Sequence, residues 1–353
     1  MIHEEASEEQ TFMNTSMRGR ALALSATAAL CALAGGVMPS QAMAEPADGP
    51  AITQAVFFGD SLTDAGTYGF RFTTMPGMTW AQHVAQRLGQ STEPNEHVAA
   101  YGDVYQGKPG SPGPGGLNYA EGGARANSAY SSVSDNPEGT PISTVVQVDR
   151  FLQQHGSFNP NQVVTLYVGT NDVAYNFDPT KDPDLAQSLR DNVTPGEDVM
   201  VGERARVQTA ATDEAQTASK ILANGAQRLL VFKLFDISKD PWFRSDAARQ
   251  YVGELGAVYN ETLLAALPAD PRIQIIDTEA FVDGLLQNPG EYGFTHGANE
   301  DACAKLDQDY CDAKSMKSPD ADRTYVFAAA EHMTTHANEL LGDYVLQQIG
   351  LEG

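Results

Sequence analysis

The chain encodes an α/β protein, a three-layer α/β/α sandwich with a parallel central sheet. Three observations predict this class. Four short apolar runs, residues 55–58, 163–168, 229–234 and 273–276, read as strands, the first of them buried. Segments of helical spacing separate them, the alternation that builds a parallel sheet covered on both faces. The first two runs end in polar turns, Gly59-Asp60-Ser61 and Gly169-Thr170-Asn171-Asp172, and the fourth ends at Asp277. Open α/β sheets hold their chemistry outside the carboxyl ends of their strands.

Taken in order, the first strand (55–58) runs into Gly-Asp-Ser and a turn closed by Gly66. Residues 79–88 place Trp80, Val84 and Leu88 on one helical face. Residues 101–116 are rich in Gly and Pro and read as a loop. An amphipathic helix is expected over 142–154 and the second strand over 163–168. Residues 180–202 are polar and read as a long surface loop. A helix over 203–223 ends at Asn224-Gly225, a common helix stop. The third strand (229–234), a helix over 251–267, the fourth strand (273–276) and a last helix over 335–349 complete the fold. No internal repeat is present.

The 353 residues suffice for one large domain preceded by a leader. Met17-Arg18-Gly19-Arg20 is a basic n-region, residues 21–37 are an apolar h-region, and Ala42-Met43-Ala44 is a cleavage site. Residues 1–44 are therefore expected to be a signal peptide and 45–353 the folded domain, secreted or periplasmic. Leu30 before Cys31 is too large for a lipoprotein site, and no other segment is apolar enough for a membrane span. The formal net charge is −24. Such a surface repels nucleic acid and anionic membranes and suits a saline medium, where screening weakens self-repulsion.

Cys303 and Cys311 remain in the mature chain, and in an oxidising compartment so close a pair is most simply a disulfide. A metal site is the rival, but no histidine ligand lies near. His332 and His336 are four apart, yet Met333 stands where an H-E-x-x-H site needs glutamate. Neither a metal nor a cofactor is expected.

The candidate chemistry lies in four segments. Ser61 follows the first strand, although Thr63 stands where a G-x-S-x-G elbow needs its second glycine. Asn118-Tyr119-Ala120-Glu121-Gly122-Gly123-Ala124 follows the Gly/Pro loop, Asn171 follows the second strand, and Glu331-His332-Met333-Thr334 precedes the last helix. Together they supply a nucleophile, glycines for close backbone approach, an amide donor and a base, the parts needed for acyl transfer. No pair of carboxylates stands out for glycoside cleavage.

These four blocks, in this order, resemble the GDSL (SGNH) family of esterases and lipases. The resemblance is strongest to its secreted bacterial members, including autotransporter passenger esterases, which Asn288-Pro289-Gly290-Glu291-Tyr292-Gly293-Phe294, the cysteine pair and residues 320–327 also resemble. No barrel follows Gly353, so a free secreted enzyme is expected. The resemblance implies a flavodoxin-like sandwich in which Ser61 attacks an ester and His332 acts as base. It implies an oxyanion hole built from the amides of Ser61 and Gly123 and the side chain of Asn171. Asp60 and Gly122 are the expected substrate-binding neighbours, and the ligand is an acyl-ester small molecule or a lipid.

One position departs from the pattern. The family has Asp three residues before the histidine, and here that residue is Ala329. Three arrangements are compatible with this. The site is a Ser–His dyad with a backbone carbonyl, water or anion in the carboxylate's place; or a carboxylate arrives from Asp320, Asp322 or Glu331; or the chain is a weakened, binding-only member. Transfer of the acyl group to an acceptor other than water is a related alternative. The working dyad is the expectation; if the site is otherwise family-like, Ala329→Asp should raise activity, and an unchanged or lower rate would mean that the pocket has settled on another arrangement.

Overall fold

The computed structural model describes residues 51–97, 110–128, 140–179, 181–305 and 308–351. The predicted leader (1–44) and the loop residues 101–109 and 130–139 lie outside them. At the centre is a four-stranded parallel sheet of β1 (Gln54–Gly59), β2 (Gln162–Tyr167), β3 (Leu229–Phe232) and β4 (Ile273–Ile276), ordered β1-β2-β3-β4. These are the four apolar runs read from the sequence. β1 and β2 pair from Gln54↔Gln162 to Gly59↔Tyr167. Gly59 is required there, because a Cβ would lie 2.3 Å from the Tyr167 carbonyl oxygen.

Strand alternation sends Phe57 and Phe58 to opposite faces. Phe57, Tyr167 and Phe232 pack around Trp80, which brings the helix Trp80–Arg87 onto one face. Phe58 meets Tyr119, Phe151 and Phe158 on the other, where the helix Thr144–His155 lies. The helices Glu197–Ala223 and Asp246–Ala266 pack together, and Thr335–Gln348 packs on Trp80–Arg87. The protein is the expected α/β/α sandwich.

The stretch 180–202 corrects the sequence-based expectation of a long surface loop. It carries the helix Pro183–Arg190 and the start of Glu197–Ala223. Asp182 accepts the Leu185 amide, Pro183 sits in the first turn, and Ala186 and Leu189 are fully buried. Two buried residues among polar ones make too thin a stripe to see as a period. The helix expected from 203 begins at Glu197, with Glu197 and Asp198 in its first turn complementing the dipole. Likewise, the helix expected over 251–267 begins at Asp246, after Ser245 caps the Ala248 amide.

A second sheet was not legible. β5 (His296–Asp301), β6 (Tyr325–Ala329) and β7 (His332–Met333) form it, with β5 parallel and β7 antiparallel to β6. Cys303 and Cys311 are joined by a disulfide beside it, in a small buried cluster with Ala328 and Ala329. Among the described residues no helix is long and apolar enough to cross a membrane.

Candidate active site

The site is assembled at the carboxyl end of β1. Asp60, fully buried, accepts the Leu62 amide at 3.0 Å and so folds the turn that presents Ser61. Burial raises the Asp60 carboxyl to about pKa 7, with the charges of Asp172 and Asp64 adding to the rise. The segment after residue 117 runs beside β1. Tyr119 donates its amide to Phe57 and Glu121 donates to Gly59, while the Asn118 side chain donates to the Thr63 carbonyl at 2.7 Å. The second block is thus tied to the first.

The two glycines of that block differ. The Gly122 amide donates to Asp64 Oδ2 at 2.9 Å, and its α-carbon faces the Phe72 ring. Gly123 adopts φ +83°, a left-handed conformation that glycine enters without a Cβ penalty. Among the described residues its amide, like that of Ser61, has no hydrogen-bond partner. Asn171 sits in the short helix Thr170–Ala174, entered through Gly169 at φ +123°. Its Nδ2 donates to the Ala124 carbonyl at 3.0 Å, and Asp172 accepts the Ala126 amide at 3.0 Å. The third block is thereby fastened to the second.

The fourth block arrives on the β6–β7 hairpin. Its two central residues, Ala330 (φ 43°) and Glu331 (φ 60°), are both left-handed, as a tight type I′ connection demands. Neither is glycine or asparagine, so the turn holds backbone strain of about 1–3 kcal/mol per residue. The turn delivers His332, whose Nε2 lies 2.8 Å from Ser61 Oγ. Its Nδ1 lies 3.1 Å from the carbonyl oxygen of Ala329. A carbonyl only accepts, so Nδ1 carries the proton and Nε2 offers its lone pair to the Ser61 hydroxyl. Burial lowers the His332 pKa to about 3 and so keeps the ring neutral at ordinary pH, while the bond to Ala329 acts in the opposite direction.

Of the carboxylates considered from sequence as partners for His332, Asp320 lies in the turn before residues Ala321–Thr324, where its carboxylate accepts from Ser318. Glu331 is raised well above the ordinary range by burial and by neighbouring Asp240. Sequence reasoning missed Asp64, which holds Gly66, Thr67 and Gly122 by their amides, although it lies within the first block. It also missed Phe72, whose ring lies 5.0 Å from that of His332 and which no local pattern marks.

The three-layer sandwich with its parallel central sheet belongs to a class of hydrolase folds of the esterase type. The chain belongs to the GDSL-like lipase/acylhydrolase family, whose profile matches residues 56–345. It is 28% identical over 261 residues to a phosphatidylcholine-sterol acyltransferase of Aeromonas hydrophila, covering 72% of this chain and 66% of that one. It is 25% identical over 281 residues to an uncharacterized protein in the trpE-trpG intergenic region of Pseudomonas putida, covering 74% of this chain and 41% of the other. The matched segment thus spans about two thirds of the first relative and under half of the second. An acetyl xylan esterase from Geobacillus stearothermophilus superposes with TM-score 0.39 at 14% identity, over 85% of this chain and 95% of that one.

Proposed function

We propose that the protein is a secreted serine esterase that cleaves acyl esters through Ser61 and His332 without a triad carboxylate. The observation that carries this is the 2.8 Å approach of His332 Nε2 to Ser61 Oγ, in the tautomer set by the Ala329 carbonyl. Ser61 Oγ attacks the ester carbonyl carbon while Nε2 takes the hydroxyl proton. The carbonyl π electrons move onto oxygen, where the amides of Ser61 and Gly123 and the side chain of Asn171 receive the charge. Collapse breaks the bond to the alcohol, which leaves with the proton from Nε2. Water then attacks the acyl-serine carbonyl while Nε2 takes its proton, and collapse breaks the bond to Ser61 Oγ, which receives that proton as the acid departs.

In this mechanism the Ala329 carbonyl fixes the tautomer that a carboxylate fixes in a full triad. It is a dipole rather than a charge, so it stabilises the transient imidazolium less. Asp60 and Gly122 shape the Ser61 turn and the amide loop from behind. The predicted leader and the disulfide both suit an exported enzyme.

The name of the Aeromonas relative supports a second outcome for the same acyl-serine, transfer to an alcohol in place of water. The test is turnover of nitrophenyl esters from acetate to palmitate by the protein and by Ser61→Ala, with and without an added alcohol acceptor. Turnover that disappears in the variant is expected, and the ratio of ester formed to acid released separates transfer from hydrolysis. Equal turnover by both proteins would exclude Ser61 as the nucleophile.

A further inference from the structure

Two in-plane hydrogen bonds, one at each ring nitrogen, leave an imidazole able to tilt about the line joining them. In a full triad a charged carboxylate stiffens that arrangement. In this chain a side chain from elsewhere lies against the ring. Phe72 is buried, with its ring centroid 5.0 Å from that of His332 at an interplanar angle of 43°. The same ring fills the space beside Gly122: a Cβ built there would lie 2.2 Å from its nearest ring carbon.

Phe72 is itself held. Tyr68 and Phe70 meet it edge-on at 6.2 and 5.0 Å, and Phe70 stacks on Tyr310 at 4.6 Å. This aromatic group is separate from the main core. Its segment is tied at both ends of the site. The Tyr68 hydroxyl donates to the Gly122 carbonyl at 2.9 Å, and the Thr73 hydroxyl donates to the Met333 carbonyl at 2.8 Å. Thr74 accepts the Thr335 amide at 2.9 Å. Residues 68–74 therefore strap the amide loop to the strand that carries the histidine.

Building on the esterase proposed above, we infer that Phe72 is a positioning residue that holds the His332 ring and the Gly122–Gly123 loop in register, a task the absent carboxylate would otherwise share. It acts through its two neighbours, His332 and Gly122. It also shields the imidazole from water, and burial is the main cause of that ring's lowered pKa. The Ser61 hydroxyl meets the ring; the nearby titratable groups are the carboxyls of Asp60, beside Ser61 in the chain, of Glu331, beside His332, and of Asp240, which acts on Glu331. Burial raises all three carboxyls, so they change its charge environment little at acid pH.

The test compares Phe72→Ala and Phe72→Leu with the unmodified protein on nitrophenyl acetate, alongside Ser61→Ala. Phe72→Ala is expected to lower kcat by about 10–100-fold, as a misplaced reacting group does, with KM changed less than about twofold. The acid limb of kcat/KM should move up toward the ordinary imidazole value as water reaches the ring. Phe72→Leu keeps apolar bulk, so the fold should persist with a smaller shift in the same direction. Gly122→Ala should cost activity in the unmodified protein and little further in Phe72→Ala, where the space is free. If Ser61→Ala is inactive while both Phe72 variants keep kcat and the acid limb, the positioning role is wrong and the esterase stands. A rise in KM alone would also overturn it, making Phe72 a substrate contact. Activity in Ser61→Ala would overturn the esterase itself.

Discussion

The Nδ1 atom of His332 faces the carbonyl oxygen of Ala329 at 3.1 Å, three residues back on the same hairpin. Ala329, where the sequence resemblance leads one to expect a carboxylate, thus supplies a backbone acceptor. The left-handed pair Ala330 and Glu331 turns the chain tightly enough for this contact to form.

Against the gain expected from the sequence, Ala329→Asp is expected not to help. Ala329 is fully buried in an apolar cluster with Cys303, Cys311 and Ala328, and His332 Nδ1 already has its acceptor. Ala329→Asp should cost about 2–4 kcal/mol of stability by burying a poorly paired carboxyl. It should leave ester turnover unchanged or lower. Urea midpoints and nitrophenyl ester rates check both, and a faster enzyme of unchanged stability would show that the new carboxylate reaches the imidazole.

Asn171→Ala should lower kcat by about 10²–10³-fold if its amide receives the developing oxyanion, with little change in KM. Its bond to the Ala124 carbonyl has a neutral acceptor, so the loss of stability should be about 1 kcal/mol. A kcat within a few-fold of the parent would assign Asn171 to loop anchoring alone.

Stability should fall as pH rises from about 4 to about 7. Burial holds Asp60 and Asp240 at about 7 and Asp172 at about 6, against the ordinary 3.8. The folded chain keeps these protons where the unfolded chain has released them. Asp64, Glu121, Glu214 and Glu331 shift in the same direction, again from burial. His332 acts oppositely: lowered to about 3, it costs stability as pH falls below about 6.5. The acids outnumber it, so thermal midpoints should be higher near pH 5 than near pH 8. A higher midpoint at pH 8 would contradict the buried, protonated acids.

Replacing both cysteines with serine should cost about 2 kcal/mol, the scale for so short a closed loop. The pair packs beside Ala329, so the same variant should also lower turnover modestly. Denaturant midpoints with and without reductant check the first effect. Identical midpoints for the oxidised protein and the variant would show that the loop needs no covalent tie.

Much of the fold was legible because its signals are local. The four central strands stand out as short, mostly apolar runs, and Trp80 and the final helix show their period within a few residues. The helix Pro183–Arg190 was not legible, since only Ala186 and Leu189 are buried among its polar residues. The second sheet was missed because β5 is the polar run His296–Asp301, which becomes a strand only by pairing with β6.

The amino-acid sequence by itself determined the sheet, the order of the four blocks and the residues that stand at the strand ends. Each of these depends on chain neighbours, through side-chain period and turn chemistry. Only the tertiary structure decided how the blocks combine. Ser61 and His332 are 271 residues apart and meet because separate elements pack together. The acceptor for His332 is a backbone oxygen, which no side-chain pattern can record. Whether Gly122 or Gly123 has a free amide depends on where Asp64 points. The protonation of the buried acids follows from desolvation, which exists only once the layers have closed around them.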